Sequence, residues 1–589
     1  MKLILFTIPT YYFEQQMGVP RLVSYMKKRG YNVVLRNLNY EFFYKIFTER
    51  WLKRIYENKK NEKKIKSFLN NQNPLDFLKK VSQANETLDK NFGTLKYSEF
   101  FKNFEILEVG AKFISVAYRP TFLSLVRGID MDYSPFSSGE IVKATNDYIE
   151  NFLIGFYEEE VIPYIRKEKP DLIGISMGHM NQFIPGFTLM RLIKKYFKTY
   201  IIIGGTAVTH LCRFFSERPT LQGFFDFVAI GPGEYALQEL MEKLPYPNKW
   251  HTIPNFMYRE GVNLTMSKLK KQFDLNDAET PEYYEPRPRA IIAIETSQNC
   301  YWGKCSFCHW PCMHDATIPE KREPYQERDL ELVEKDLQEV KEKYDPLFIR
   351  LSDAVVSPDR LNKLIDINKK FGFKFYTYIR AEEEFTSLDF CRKIYQGGLM
   401  GAIFGIESGS ERINNFYNKG VSLKTVEKIL ENFNKVGIIG NIFSMINFPD
   451  ETEEEMLKSY EYFKRLIDKY SCLLFMGDFK VFFKSDVWNN YKKFGIVKIK
   501  PRPVSMYFDF DSFHSRKGNK SGIVKIKPRQ FKVWIRGRED LPLYYTCDIA
   551  LGKKAERRKE KLLRKIMREL TSLRLWDRFF LKVFKNYST

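Results

Sequence analysis

Residues 290–312 read AIIAIETSQNCYWGKCSFCHWPC. An apolar run of strand length leads into a loop carrying Cys300, Cys305 and Cys308, spaced Cys-x4-Cys-x2-Cys, and Cys312 follows after three more residues. Thiolates are soft ligands, and three on one short loop can wrap a single iron–sulfur cubane while leaving one iron open. The alternative is a structural zinc site using all four cysteines, with His309 or His314 as substitutes. Zinc knuckles usually pair two CxxC-like halves, whereas this group hangs from the first strand of an α/β run, which favours iron–sulfur. Cys312 reads as a spare thiol rather than a residue facing substrate.

The α/β run continues downstream. A helix over 328–344 is followed by LFIRLSD (347–353), a helix over 358–371, KFYTYIR (374–380), a helix over 387–397, GAIFGIES (401–408), a helix over 422–436 and IIGNIFSMINF (438–448). Five such repeats predict an open or partial parallel barrel whose site lies at the carboxyl ends of its strands. Ser352, Asp353, Arg380, Glu407 and Ser408 all fall there, and five polar residues in register favour a shared site over separate structural roles.

Upstream, LILFTIP (3–9), a helix-like stretch from Gly18 to Gly30 and YNVVLRNL (31–38) form one βαβ unit. Residues 44–165 break the rhythm with lysine-rich amphipathic stretches such as ERWLKRIYENKKNEKKIKSFL and read as a helical insertion. The rhythm resumes with DLIGISMG (171–178), YIIIGG (200–205) and FDFVAIGPGE (225–234), which predicts a doubly wound parallel sheet. Ligands of such sheets sit at the strand carboxyl ends, where Gly178, Gly204, Gly205, Gly231 and Gly233 would let a bulky ligand approach the backbone. The expected division is 1–245 for this domain, 246–288 for a proline-containing linker, 289–480 for the barrel and 481–589 for a C-terminal region. That last region holds the octapeptide GIVKIKPR twice, at 495–502 and 522–529, and a basic amphipathic helix from about Lys553 to Lys582.

The chain has 589 residues, 44% hydrophobic and 16% aromatic, enough for several buried cores. No apolar stretch reaches the about eighteen residues of a transmembrane helix. The opening MKLILFTIPTYYF has one cationic residue and no small-residue cleavage site, so it reads as a buried strand and a cytoplasmic protein is expected. Of eight cysteines, four are clustered and Cys212, Cys391, Cys472 and Cys547 are scattered, unlike a secreted disulfide framework. The net charge of +22 accompanies abundant Lys, Asn, Ile, Phe and Tyr throughout, as an AT-rich coding sequence would give, and reads as solvated lysine surface. Six dispersed histidines suggest no histidine metal site.

The trio, with Phe307 directly before its third cysteine, resembles the signature of radical S-adenosylmethionine (SAM) enzymes. The family's commonest spacing has three residues between the first two cysteines; four, within CxWGxC, resembles the members that carry a cobalamin-binding domain. LSDAVVSP (351–358), YIRAE (378–382), FGIESGS (404–410), NKG (418–420) and FPDET (448–452) echo that subgroup in order, over roughly residues 1–45 and 170–500. The resemblance implies an α/β chain: a Rossmann-like cobalamin-binding domain, a partial (β/α)6 radical SAM barrel and a small α+β C-terminal region.

The resemblance also implies roles for particular residues. Cys300, Cys305 and Cys308 would ligate a [4Fe–4S] cluster whose open iron chelates the amino and carboxylate groups of SAM. Phe307 would lie against the adenine, Ser352 and Asp353 near the methionine moiety, and Ser408 in the same SAM site. Glu407 would bond the ribose hydroxyls and Arg380 would help place the carboxylate. One-electron reduction of the sulfonium would then release methionine and a 5′-deoxyadenosyl radical that abstracts hydrogen from an unactivated carbon. Asn447 stands where the family usually has glycine, which alters the adenine contacts expected there.

SMGHMNQ, IIIGGTAVTH and GPGE resemble the cobalamin-binding domain, and imply contacts from Ser176, Gly178, Gly204, Gly205, Thr206, Gly231, Gly233 and Glu234. The histidine-ligand motif Asp-x-His-x-x-Gly is absent from PTYYFEQQMG (9–18), so cobalamin would lack a protein histidine on its lower face, and His210 reads as a polar loop residue. The expected function is cobalamin-dependent radical methylation of a peptide, lipid or small-molecule substrate, with flavodoxin or ferredoxin as electron donor. A radical rearrangement or cyclisation is the alternative. A zinc-knuckle nucleic-acid-binding protein is a third reading, but no basic and aromatic motif of a known nucleic-acid module supports it. No residue is identified as acting directly on the substrate.

Overall fold

The computed structural model describes residues 1–12, 16–57, 62–70, 72–126, 128–283, 291–309, 324–470, 472–482, 484–501, 507–508, 531–532, 544–549 and 562. They fall into two compact units, one formed mainly by residues 1–288 and the other mainly by 289–502. Among the described residues no helix is long and apolar enough to cross a membrane.

In the first unit, β1 (Lys2–Thr7), α1 (Gly18–Lys28) and β2 (Asn32–Asn37) form the opening βαβ. After the insertion come β3 (Leu172–Ser176), α2 (Phe183–Tyr196), β4 (Tyr200–Gly204), α3 (Thr206–Glu217), β5 (Phe227–Ala229) and α4 (Glu234–Lys243). Leu3 to Phe6, Leu172 to Ile175 and Ile201 to Ile203 are buried along their length, as strands covered on both faces must be. The strands from β2 to β5 pair in parallel in the order β2-β1-β3-β4-β5. Residues 44–165 are largely helical, with Pro74–Lys90 and Tyr97–Ala117 the long members, but they also contain a hairpin of Phe122–Ser124 with Gly128–Asp130.

Residues 246–288 differ from the linker expected of them. β6 (Phe256–Glu260) pairs antiparallel with β5, and β7 (Asn263–Met266) pairs antiparallel with β6, so the sheet gains two strands. Gly261 turns the hairpin at φ +63°, a conformation glycine adopts without strain. Phe256 and Met257 are buried, and Phe256 joins Phe227 and Trp250 in the core beneath α4. These short strands lack the length and alternation that would reveal them, yet their apolar side chains anchor them.

The second unit runs β8 (Ile291–Ile294), α5 (Leu330–Tyr344), β9 (Phe348–Leu351), α6 (Pro358–Asn368), β10 (Phe375–Tyr378), α7 (Leu388–Gln396), β11 (Leu399–Glu407), α8 (Leu423–Val436), β12 (Ile439–Ile446), α9 (Glu453–Lys469) and β13 (Leu473–Asp478). All six strands are parallel and ordered as in the chain, with β8 and β13 at the edges, the partial (β/α)6 arrangement. Caps fix the helix starts: Ser357 accepts from Arg360 N before Pro358 at the head of α6, and Thr452 and Glu455 form a reciprocal capping box on α9. All strand carboxyl ends therefore share one rim. Beyond it, the first GIVKIKPR copy forms a strand, Ile496–Pro501, antiparallel to Tyr544–Ile549. The second copy and the basic tail, Leu562 apart, lie outside the described residues.

Candidate active site

The cysteine loop follows β8 and is held at many points by protein alone. Asn299 and Gly303 take left-handed conformations, φ +67° and +57°, that fold it into a compact turn. Tyr301 Oη donates to Glu382 Oε1 at 2.9 Å, and Trp302 Nε1 donates to the Asn418 carbonyl at 3.0 Å. Ser306 N donates to the Tyr417 carbonyl at 2.9 Å, Asn418 Nδ2 donates to Ser306 Oγ at 3.0 Å, and Val487 N donates to the Ser306 carbonyl at 3.0 Å. Cys305 and Cys308 rest against a core of Phe307, Tyr417, Phe448 and Phe479. Cys300, Cys305 and Cys308 are half-buried thiols outside any disulfide.

Burial pushes the Cys305 thiol up, while the ammonium of Lys419 pulls it down. Among the described residues no three His, Cys, Asp or Glu side chains are gathered as a single metal ion requires. A cubane asks for a different arrangement, one thiolate on each of three irons, and a half-buried trio on a pre-shaped loop fits that donor set. His309 stacks on Phe482 at 4.1 Å, and Cys312 and His314 lie outside the described residues.

The residues expected to bind SAM divide sharply. Asp353 is 1% exposed, and its carboxylate accepts from Thr296 N at 2.6 Å and Thr296 Oγ1 at 2.5 Å. It braces the end of β8, four residues before Cys300, instead of presenting an oxygen to a ligand. Ser352 Oγ accepts from Arg350 Nε at 3.1 Å. Ser408 is fully buried, with its Oγ 3.1 Å from Ser459 Oγ and accepting from Ser410 N. Phe307 also departs from expectation: its ring packs in the aromatic core beside Tyr417 and Phe448.

Arg380 bonds through all three nitrogens: Nε to Glu382 Oε1 at 2.8 Å, Nη1 to the Lys419 carbonyl and Nη2 to the Gly420 carbonyl, both at 3.0 Å. Its guanidinium lies 4.1 Å from the Trp302 ring centroid, so Arg380 clamps the cysteine loop to residues 418–420. Glu407 alone keeps a partly uncommitted carboxylate, paired with Lys419 Nζ at 2.8 Å. Sequence reasoning passed over Thr296, Trp302, Glu382 and Lys419 as individual residues; the CxWGxC, YIRAE and NKG segments were the signals that contained the last three.

In the first unit, Ser176 and Gly204 are register partners at the ends of β3 and β4. Met177 N donates to the Gly204 carbonyl, Gly178 N donates to Gln182 Oε1, and Gly231 N donates to Thr209 Oγ1, tying the three loops together. Gly205 has φ +101°, and a Cβ there would stand 2.6 Å from the Met177 carbonyl oxygen. Ser176, Gly178, Gly204, Gly205, Thr206, Gly231 and Gly233 are all at least partly exposed at this rim, a low, side-chain-poor surface that suits a broad flat ligand. Glu234 is the exception. It is buried and takes Arg21 Nε on its Oε1 at 2.6 Å, an internal ion pair in place of the expected ligand contact.

Residues 294–463 match the model of the Radical SAM superfamily. The chain carries a radical SAM domain. This is the stretch that contains the cysteine loop and runs into α9, so the match spans β9 to β12 of the six-stranded sheet. An uncharacterized methyltransferase of Pyrococcus horikoshii is 22% identical over 326 residues, covering 53% of this chain and 68% of that relative. Among solved structures, the cobalamin-dependent SAM radical enzyme OxsB with aqua-cobalamin bound superposes with a TM-score of 0.56 at 12% identity. That match covers 95% of this chain and 66% of OxsB, just under two thirds of its length. The radical SAM methyltransferase TsrM from Kitasatospora setae gives a TM-score of 0.54 at 12% identity, covering 96% of this chain and 89% of TsrM. At such identities the likeness is one of fold.

Proposed function

We propose that this radical SAM enzyme is a cobalamin-dependent methyltransferase acting on an unactivated carbon of a peptide or natural-product substrate, with a flavodoxin- or ferredoxin-like protein as reductant. The observation that carries the reading is the presence in one chain of two sheets, each with a run of parallel strands, whose rims are differently equipped. One rim is made of glycine-rich loops and the other bears the thiol trio. When bound, a [4Fe–4S] cluster with SAM supplies radical generation and cobalamin supplies a methyl carrier. The chain's share is to hold and shield. Cys300, Cys305 and Cys308 would take the cluster, Glu407 the ribose hydroxyls, and the loops ending at Ser176, Gly178, Gly204, Gly205, Thr206, Gly231 and Gly233 the corrin. Pre-shaping the cysteine loop through Tyr301, Trp302 and Ser306 spares the ordering cost when the cluster is inserted.

The test is anaerobic reconstitution followed by metal analysis, corrinoid absorbance and mass spectrometry of turnover products. The reading expects iron and sulfide without stoichiometric zinc, a bound corrinoid, and a product heavier by one methyl group. Absence of a corrinoid band refutes it, and a product of unchanged mass or one lacking only hydrogen assigns the chain to radical rearrangement or cyclisation.

A further inference from the structure

Strand pairing in the second unit sorts side chains onto two faces. Phe404 on β11 meets Phe433 of α8, so residues of its parity face the helices. The opposite parity turns inward. There Arg350 is in register with Tyr376 and Gly401, Tyr378 with Ile403 and Asn441, and Gly405 with Phe443, which is in turn the partner of Phe475. Gly401 and Gly405 keep β11 low on this face. The rings of Tyr378 and Phe443, two strands apart, meet across it at 6.1 Å, and Phe443 meets Phe475 at 5.3 Å. Gly405 is also the residue over which Glu407 Oε1 lies, since a Cβ there would stand 2.1 Å from that oxygen. The aromatic shelf thus begins beside the carboxylate assigned above to the ribose of SAM.

Polar groups on the same face are unspent. Asn441 is 7% exposed, yet among the described residues its carboxamide makes no hydrogen bond, and neither does the hydroxyl of Tyr378. Buried polar groups are ordinarily satisfied, so open capacity in a nearly closed place marks a ligand position. Arg350 adds positive charge. Its Nε donates to Ser352 Oγ at 3.1 Å. Burial pushes the Tyr376 and Tyr378 phenols up and the Arg350 guanidinium pulls both down, so its field reaches both rings. Tyr378, Asn441, Phe443 and Phe475 take no part in bracing the cysteine loop or in the SAM contacts argued above.

We infer that this inner face binds the substrate as a carboxylic acid with a flat apolar body. Tyr378 Oη and Asn441 Nδ2 donate to the carboxylate within the field of Arg350, and Phe443 and Phe475 carry the body. The inference rests on the radical SAM reading above and names the substrate class for its site. A cationic head group would meet Arg350 at like charge, and a wholly apolar substrate would strand the Asn441 carboxamide and the Tyr378 hydroxyl. Rings spaced as Phe443 and Phe475 are accept a further ring in the same tilted manner.

The test uses the full chain, reconstituted anaerobically, and measures equilibrium binding of phenylacetate and of its neutral amide, phenylacetamide, by ligand-observed NMR. SAM binding is read from the EPR spectrum of the same samples after reduction. The wild type should hold phenylacetate about tenfold more tightly than the amide, and Arg350→Gln should remove that preference. Tyr378→Phe and Asn441→Leu should each weaken phenylacetate about tenfold. Phe475→Ser should weaken both probes alike. A wild type that binds neither probe, or both equally, overturns the inference, as does wild-type phenylacetate affinity in either Tyr378→Phe or Asn441→Leu. If those variants fail to fold, Phe475→Ser at the half-exposed end of the shelf decides, and unchanged affinity for both probes there is equally fatal. Iron and SAM bound without a preference for the acid overturns the inference alone, whereas iron bound without SAM overturns the functional reading on which it rests.

Discussion

Replacing Gly420 by alanine should unlock the cysteine loop from a distance of more than a hundred residues in sequence. Gly420 has φ +63°, where an L-residue costs about 1–2 kcal/mol. Its new Cβ would stand 2.4 Å from Trp302 Cζ2 and 2.7 Å from Cη2. An indole is rigid and cannot fold away like the end of a lysine, so it must swing out. Doing so breaks the 3.0 Å bond to Asn418 O, worth about 1 kcal/mol, and the Arg380 cation–π contact, worth about another 1 kcal/mol. The expected loss is about 3–4 kcal/mol in urea unfolding, together with reduced iron and sulfide after reconstitution. A double-mutant cycle isolates the clash: in a Trp302→Ala background the same glycine change should cost only the backbone portion, about 1–2 kcal/mol. Equal costs in the two backgrounds, or wild-type stability and iron content in Gly420→Ala, would refute the clamp.

Other perturbations test other joints. Asp353→Ala strands two buried donors of Thr296 and should cost about 2–4 kcal/mol in denaturant titration and lower the iron content; a protein of wild-type stability would show that the brace carries nothing. Glu234→Ala removes a buried anionic acceptor from Arg21 and should destabilise the first unit by about 3 kcal/mol, readable as a lower urea midpoint. In the second unit, Arg412 and the backbone and hydroxyl donors around Glu455 hold that carboxyl down to about 2, against the opposing effect of burial. Because the folded value lies below the unfolded one, the contribution is complete above about pH 4.5 and is lost as pH falls toward 2. Arg412 is half exposed, so solvent screening reduces the pair to about 1 kcal/mol; Arg412→Ala should raise the acid-unfolding midpoint, and an unchanged midpoint would contradict the pairing.

The repeating strands were legible because each is a buried apolar run bounded by a helix of opposite character. AIIAIET, LFIRLSD, KFYTYIR and GAIFGIES mark four of the six barrel strands, and IIGNIFSMINF a fifth. The sixth, LLFMGD at 473–478, follows a long charged helix with no further repeat to advertise it, and β6 and β7 hide among prolines and turns for the same lack of periodicity. Pairing supplies what pattern omits: β13 gains its identity from six backbone register partners on β12.

Site residues show a different limit. Position along a strand told where Asp353, Arg380, Glu407 and Ser408 would be, since a parallel sheet brings all its carboxyl ends to one rim. It could not tell what else would arrive there. Arg380 meets carbonyls 39 and 40 residues on, and Ser408 meets a hydroxyl 51 residues on, and each encounter spends a group that would otherwise be open to a ligand. Asp353 is spent the other way, on a threonine 57 residues earlier. Lys419 is the complementary case. In sequence it is one lysine among many, in a short NKG turn, and only its burial against Glu407 over a glycine separates it from the solvated surface. A polar residue at a strand end is therefore a candidate until its donors and acceptors are counted, and in this rim that count finds Arg380 committed to protein partners and Glu407 held by Lys419 through one oxygen.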